Sequence, residues 1–215
     1  MEKIEIGNKE ARVVLIQVID ERDTEIVEKE WSIIREKTGQ DLLLRAFTVR
    51  NWNIDLSPWK APAVFGNEGF GDGAEKTLSE ILKTCNDDTK KYYIGGYSLA
   101  GLFALWSACH TKVFGGVAAA SPSVWFPGFT EHIRENEMNC GYVYLSLGNK
   151  EPKTRNPVMA TVGDKIQEVY EILLSQNKKC ILEWNEGNHF KDADLRTAKA
   201  FSGLLTSPSD LPAFS

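Results

Sequence analysis

Short apolar runs alternate with helical patterns along most of the chain, and this alternation constrains the fold more than any other feature of its 215 residues. Val13 to Ile19 is a continuous apolar run, the pattern of a strand buried on both faces. From about Thr24 to Lys37, Ile26, Val27, Trp31 and Ile34 recur at helical spacing, and Gly39 supplies the stop. Leu42 to Val49 reads as a second strand, and a Gly- and Pro-rich loop from Ala61 to Asp72 precedes a helix carrying Leu78, Ile81, Leu82 and Cys85. Lys91 to Ile94, Val113 to Ala120, Tyr142 to Leu147 and Lys179 to Trp184 complete six predicted strands. Helices are expected over Leu99 to Cys109, after Asn156-Pro157 as N-cap and first-turn proline, and over about Leu195 to Leu205. Alternation of this kind predicts an α/β fold, a mainly parallel sheet of about six strands with helices on both faces. Chemistry in such sheets gathers in the loops beyond the carboxyl ends of the strands.

One of those loops stands out. Gly95-Gly96-Tyr97-Ser98-Leu99-Ala100-Gly101 sets a single serine between glycines where an apolar strand meets an apolar helix. A serine hydroxyl becomes a useful nucleophile on a tight strand-to-helix turn, beside a base and backbone N–H groups that can hold an oxyanion. The string departs from a strict G-x-S-x-G, since Ala100 takes the fifth place and Gly101 follows it. Small residues at 96, 100 and 101 let strand and helix approach closely.

The chain has three histidines. His110 ends the helix after Ser98, His132 lies in a charged segment, and His189 follows the last strand in Glu186-Gly187-Asn188-His189-Phe190, the position expected of a base. An acid that orients the base should follow an intermediate strand, giving the chain order serine, acid, histidine. Glu151, in Gly148-Asn149-Lys150-Glu151, is the first choice, with Asp164, Asp192 and Asp194 as alternatives; the last two also suit caps for the final helix.

These segments, together with Ser121-Pro122-Ser123-Val124-Trp125, resemble the α/β-hydrolase fold, and within it the esterase family that includes esterase D-like and siderophore-esterase-like enzymes. Asn53-Ile54-Asp55-Leu56-Ser57-Pro58-Trp59 is similar to that family's R-D-x-T-P segment, with Asn53 and Ser57 in place of its arginine and threonine. Gly187-Asn188-His189 stands where the family has Gly-Gly-His, and the N-terminal strands of larger members are not evident. The likeness spans roughly Val13 to Phe190. It implies Ser98 as nucleophile, His189 as base and Glu151 as acid, although some relatives work with a serine and histidine dyad.

An oxyanion hole needs two donors. The Leu99 N–H, directly after the serine, is the expected first. The second is expected from the loop after the first predicted strand, Asp20-Glu21-Arg22, where relatives carry an Asp-Gly or Ser-Gly turn; Arg22 is the named candidate, with anion binding by its side chain as the other reading. Trp52, Trp59 and Trp125 fall at strand carboxyl ends and are candidates for a substrate pocket, whereas Trp31 and Trp106 sit at helical core positions. Gly66, Gly69, Gly71 and Gly73 lack a following Gly-Lys-Ser/Thr, which argues against a nucleotide loop.

Length and composition, 42% hydrophobic and 26% charged, suit one domain over residues 1–215 with a loosely ordered tail at 207–215. The formal charge of −5, with acids and bases intermixed, provides no basic stripe for nucleic acid and no polybasic segment for a membrane surface. The charged start and the absence of an apolar run near ~20 residues predict a cytoplasmic location. Cys85, Cys109, Cys140 and Cys180 are scattered without a C-x-x-C pair, as expected of reduced thiols and not of a zinc site. The expected activity is cleavage of a small-molecule carboxylic ester through an acyl-enzyme, with no metal or cofactor. The alternatives are an acyltransferase using the same nucleophile and a non-catalytic protein of this fold that binds a ligand or partner. Nothing in the sequence sets an oligomeric state.

Overall fold

Residues 1–206 are described by the computed structural model; the predicted loose tail, 207–215, lies outside the described residues. Seven strands, β1 (Lys3–Gly7), β2 (Val13–Asp20), β3 (Leu42–Val49), β4 (Lys91–Tyr97), β5 (Phe114–Ala120), β6 (Tyr142–Gly148) and β7 (Lys179–Asn185), form one sheet. Its order is β1-β3-β2-β4-β5-β6-β7. All neighbours are parallel except β1, which runs antiparallel along β3 with Glu5 opposite Arg45. The sheet thus has seven strands where the sequence predicts about six. β1 is only five residues long and carries charge on an edge, so it lacks the apolar run that marks the others.

Helices α1 (Ile26–Thr38) and α7 (Ala193–Leu205) cover one face, packing with Leu15, Ile19, Leu44 and Ala118. α3 (Ala74–Leu82), α4 (Leu99–His110), α5 (Phe129–Glu135) and α6 (Val162–Ser175) close the other face over Ile16, Ile94, Val117 and Val143. A one-turn helix, α2 (Trp52–Asp55), follows β3 with the Asn51 side chain accepting the Ile54 N–H. α1 ends as predicted at Gly39, whose φ of 62° is left-handed and whose N–H caps the Arg35 carbonyl. α4 is apolar all round and correspondingly buried. Phe103 in it is fully enclosed, and truncation to alanine should cost about 3–5 kcal/mol.

Asn156-Pro157 does not open α6. Asn156 Oδ1 instead accepts the N–H groups of Val158 and Met159 at the head of a 3₁₀ turn, Met159–Thr161, and α6 begins at Val162. α2 and α5, too short to show periodicity, are absent from the sequence reading. Among the described residues no helix is long and apolar enough to cross a membrane. The described cysteines are free, and burial pushes the Cys109 and Cys180 thiols up to about 12 and Cys140 up to about 11.

The strand order reverses direction between β2 and β4, with β3 and β1 laid down on one side and β5 to β7 on the other. A crevice therefore opens outside the carboxyl ends of β2 and β4, where the two loops diverge. Ser98 is the first residue past β4.

Candidate active site

The turn at Ser98 is possible only because its neighbours are small. A Cβ on Gly96 would lie 2.7 Å from Ala100 Cβ, and one on Gly95 would meet the Ala118 carbonyl and the Phe201 ring at 2.6 Å. Ser98 itself adopts φ 56°, ψ −122°, a region that L residues occupy at a cost of order 1–3 kcal/mol and that surrounding contacts must enforce. Its N–H is held by the Ala120 carbonyl at 3.1 Å, and its carbonyl accepts from Leu102 and Ser123. This lifts the side chain above the sheet at the start of α4. The Leu99 N–H stands in the first turn of α4, where no intrahelical acceptor exists, so it is free to face a ligand.

Ser98 Oγ lies 3.0 Å from His189 Nε2. On the other side of the ring, His189 Nδ1 lies 2.8 Å from Glu151 Oε2. The imidazole reaches this position on the turn after β7, where Gly187 at φ 108° leaves no room for a side chain against Lys191. Its own carbonyl accepts from the Tyr97 hydroxyl at 2.6 Å, which ties the turn to β4. Glu151 opens a 3₁₀ turn directly after β6.

Glu151 is buried, with one edge on a neighbouring cavity. Oε1 accepts from the Gly148 N–H at 2.7 Å, the Ser121 hydroxyl at 2.8 Å and Arg196 Nη1 at 3.1 Å. Burial by itself raises the pKa of this carboxyl, but the bond from His189, the charge that ring can carry, and the donors on Gly148 and Ser121 outweigh it, leaving the group below its ordinary range. Arg196, from α7, is only 3% exposed and also reaches the Glu186 carbonyl at 2.9 Å and the Tyr97 hydroxyl at 3.3 Å. Nothing in the sequence marks it, because an arginine on an amphipathic helix reads as surface. Ser121 was noticed only as part of a motif.

The other sequence candidates divide. Asp164 is exposed on α6, away from the ring. Asp194 pairs with Lys29, and Asp192 precedes α7 at φ 55° without a side-chain cap bond, so neither meets His189. Arg22 is a correction: its N–H is taken by Asp20 Oδ1 at 3.0 Å, its guanidinium forks onto the same carboxylate at 2.7 and 2.9 Å, and it lines a polar cleft beyond Trp52, separate from Ser98. Trp52 and Trp125 line the cavity above Ser98, of about 460 Å³. Trp59 does not; its indole donates to the Pro127 carbonyl and its ring packs on Phe126 and His132, beneath the loop. Phe65 and Phe70, unflagged in sequence, meet Trp125 edge-on or tilted at 6.3 and 6.0 Å and complete an aromatic wall. Asn53, Ser123 and Thr154 add polar side chains to the cavity, with Ser123 Oγ 3.2 Å from Ser98 Oγ. Among the described residues no three His, Cys, Asp or Glu side chains converge as a metal-holding group.

No protein-family model matches the chain, and no curated protein matches its sequence. Its likeness to known proteins lies in three dimensions. The siderophore hydrolase EstA from Aspergillus nidulans superposes with a TM-score of 0.69 at 16% identity, covering 95% of this chain and 93% of that one. Zea mays acyl-protein thioesterase 2 gives 0.60 at 14% identity, covering 95% and 99%. The enterobactin esterase FES from Shigella flexneri gives 0.60 at 15% identity, with 94% of this chain matching 54% of that one. The chain has the α/β-hydrolase fold, and these structural neighbours are esterases and hydrolases.

Proposed function

We propose that this chain is a serine esterase acting on carboxylic esters through an acyl-enzyme. The observation that carries this reading is the unbroken run of contacts from Ser98 Oγ to His189 Nε2 at 3.0 Å and from His189 Nδ1 to Glu151 Oε2 at 2.8 Å, opening onto an aromatic cavity. An ionised Glu151 accepts a hydrogen bond from Nδ1–H, which keeps the proton on that nitrogen and leaves the Nε2 lone pair directed at the serine. Ser98 attacks the ester carbonyl as His189 takes its proton; the Leu99 N–H stabilises the oxyanion; His189 then protonates the departing alcohol. Water repeats the sequence on the acyl-enzyme and releases the acid. Buried donors around Glu151 fix the ring orientation in advance, so little reorganisation is needed at the moment of reaction.

A fluorophosphonate probe should label Ser98, and His189→Ala should abolish labelling. Hydrolysis of a p-nitrophenyl acetate-type ester should fall at least about 10³-fold in Ser98→Ala with the circular dichroism spectrum unchanged. Unaltered turnover in that variant would remove Ser98 from the mechanism. The non-catalytic alternative draws on the Arg22 N–H being occupied, which leaves the loop after β2 without the expected donor. A folded wild-type protein that resists the probe would favour it. Acyl transfer is distinguished by whether added alcohol diverts the acyl group from water.

A further inference from the structure

A second cavity, of about 410 Å³, adjoins the first and shares Trp125, Thr154, Met159, His189 and Phe190 with it. It contains His189 but neither Ser98 nor Leu99, and its outer wall carries Lys150 and Lys153. Both lysines are exposed, and neither has a carboxylate within ion-pair distance among the described residues. The one acid on this wall is Glu151, whose oxygens are already committed to His189, Ser121, Gly148 and Arg196. The opposite end of the crevice, beyond Trp52, has the reverse balance, with Asp20, Asp23 and Glu68 against Arg22 and Arg50. In a chain of net charge −5, the crevice thus runs from an acid-rich end to a cationic one.

Resting on the esterase reading, we infer that the preferred substrates are esters whose alcohol portion bears an anionic group, a carboxylate or a phosphate, seated over Lys150 and Lys153. The direction follows from proton traffic. The carbonyl must sit by Ser98 and the Leu99 N–H, which places the acyl group against Trp52, Phe65, Phe70 and Trp125. The group that receives a proton from His189 Nε2 is the leaving oxygen, so the alcohol lies on the histidine side, in the second cavity. A cation pair at the rim of a partly desolvated cleft attracts an anion more strongly than exposed pairs do in bulk water, and it also steers its approach.

The test compares two esters with the same acyl group, one of 3-hydroxypropanoate and one of the uncharged isostere 3-hydroxypropanamide, with a phosphorylated alcohol as a third arm. At low salt the wild type should favour the carboxylate ester over the amide ester by about tenfold in kcat/KM, and the preference should shrink as ionic strength rises. Lys150→Gln/Lys153→Gln should bring the ratio near unity while leaving the amide ester rate as it was. A phosphate response larger than its roughly doubled charge accounts for identifies phosphate as the anion; a response in proportion to charge identifies charge alone. A wild-type ratio near unity, or one that the double substitution leaves intact, overturns the inference while hydrolysis of the amide ester keeps the esterase reading standing. Failure to hydrolyse any of the three, with no probe labelling at Ser98, overturns both.

Discussion

Glu151, at the carboxyl end of β6, and Glu30, on α1 against β2, are both nearly inaccessible to solvent, yet their surroundings drive their protonation in opposite directions. Glu151 meets His189, Ser121, the Gly148 N–H and Arg196. Glu30 has one donor, Gln17 Nε2 at 2.7 Å, and burial lifts its pKa to about 8. The Gln17 Oε1 atom is buried without a partner, and a protonated Glu30 carries the O–H that it lacks. Burial therefore does not decide the charge of a carboxylate; the number of donors brought to it does. One glutamate is held as an anion against His189, and the other is accommodated as a neutral acid in the packing.

The sharpest way to break this contrast is Glu151→Gln, which keeps the shape but removes the acceptor that selects the histidine tautomer. Turnover should drop on the order of 10³–10⁴-fold in kcat with binding of a neutral ester largely retained, read from steady-state kinetics. Next in size is Arg196→Met, which strips the compensating charge from Glu151. Unfolding free energy should fall by about 3–5 kcal/mol in urea titrations. Arg196→Lys, which keeps a charge beside Glu151, should restore much of that stability.

Glu30 gives an opposite pH signature. Its folded pKa lies above the unfolded value, so the folded state binds the extra proton between about pH 4.5 and 8, and stability declines as pH rises through that window. The decline should approach but not exceed about 1.4 kcal/mol per pH unit, and Glu30→Gln should flatten it, as followed by urea midpoints from pH 5 to 9. Glu151, with its lowered pKa, contributes stability above its unfolded pKa that is lost as pH falls through the folded value, so the two slopes have contrary signs. The smallest effect belongs to Ser121→Ala. One of several donors disappears, and a stability loss of about 1 kcal/mol with a few-fold decrease in turnover should result.

Elements that state their burial in local pattern are legible in the sequence. β2 and β3 are apolar runs interrupted chiefly by Gln17 in one and Arg45 in the other, and the α1 stop is a glycine where a left-handed residue is needed. β1 escaped because an edge strand protects itself with charge. The serine, histidine and glutamate that meet here follow a chain order that loops after successive strands make legible. Arg196 followed no such rule: its burial depends on partners at positions 97, 151 and 186, which only the closed fold brings together. Trp52 and Trp59 sit either side of one short turn, and sequence spacing does not say that one faces the crevice while the other packs under it. Arg22 was misjudged for a local reason, since an aspartate two residues earlier captures its N–H.

The order of these parts along the chain also has a consequence for biosynthesis. The serine turn draws its backbone contacts from α4 and from Ala120 and Ser123, whereas the Glu151, His189 and Arg196 that gather beside it come from residues 151 to 196. On a translating ribosome that interval lasts on the order of ten seconds. A nascent chain carries the serine turn through that interval before His189, Glu151 and Arg196 have emerged, so on the esterase reading its activation waits for those residues to dock.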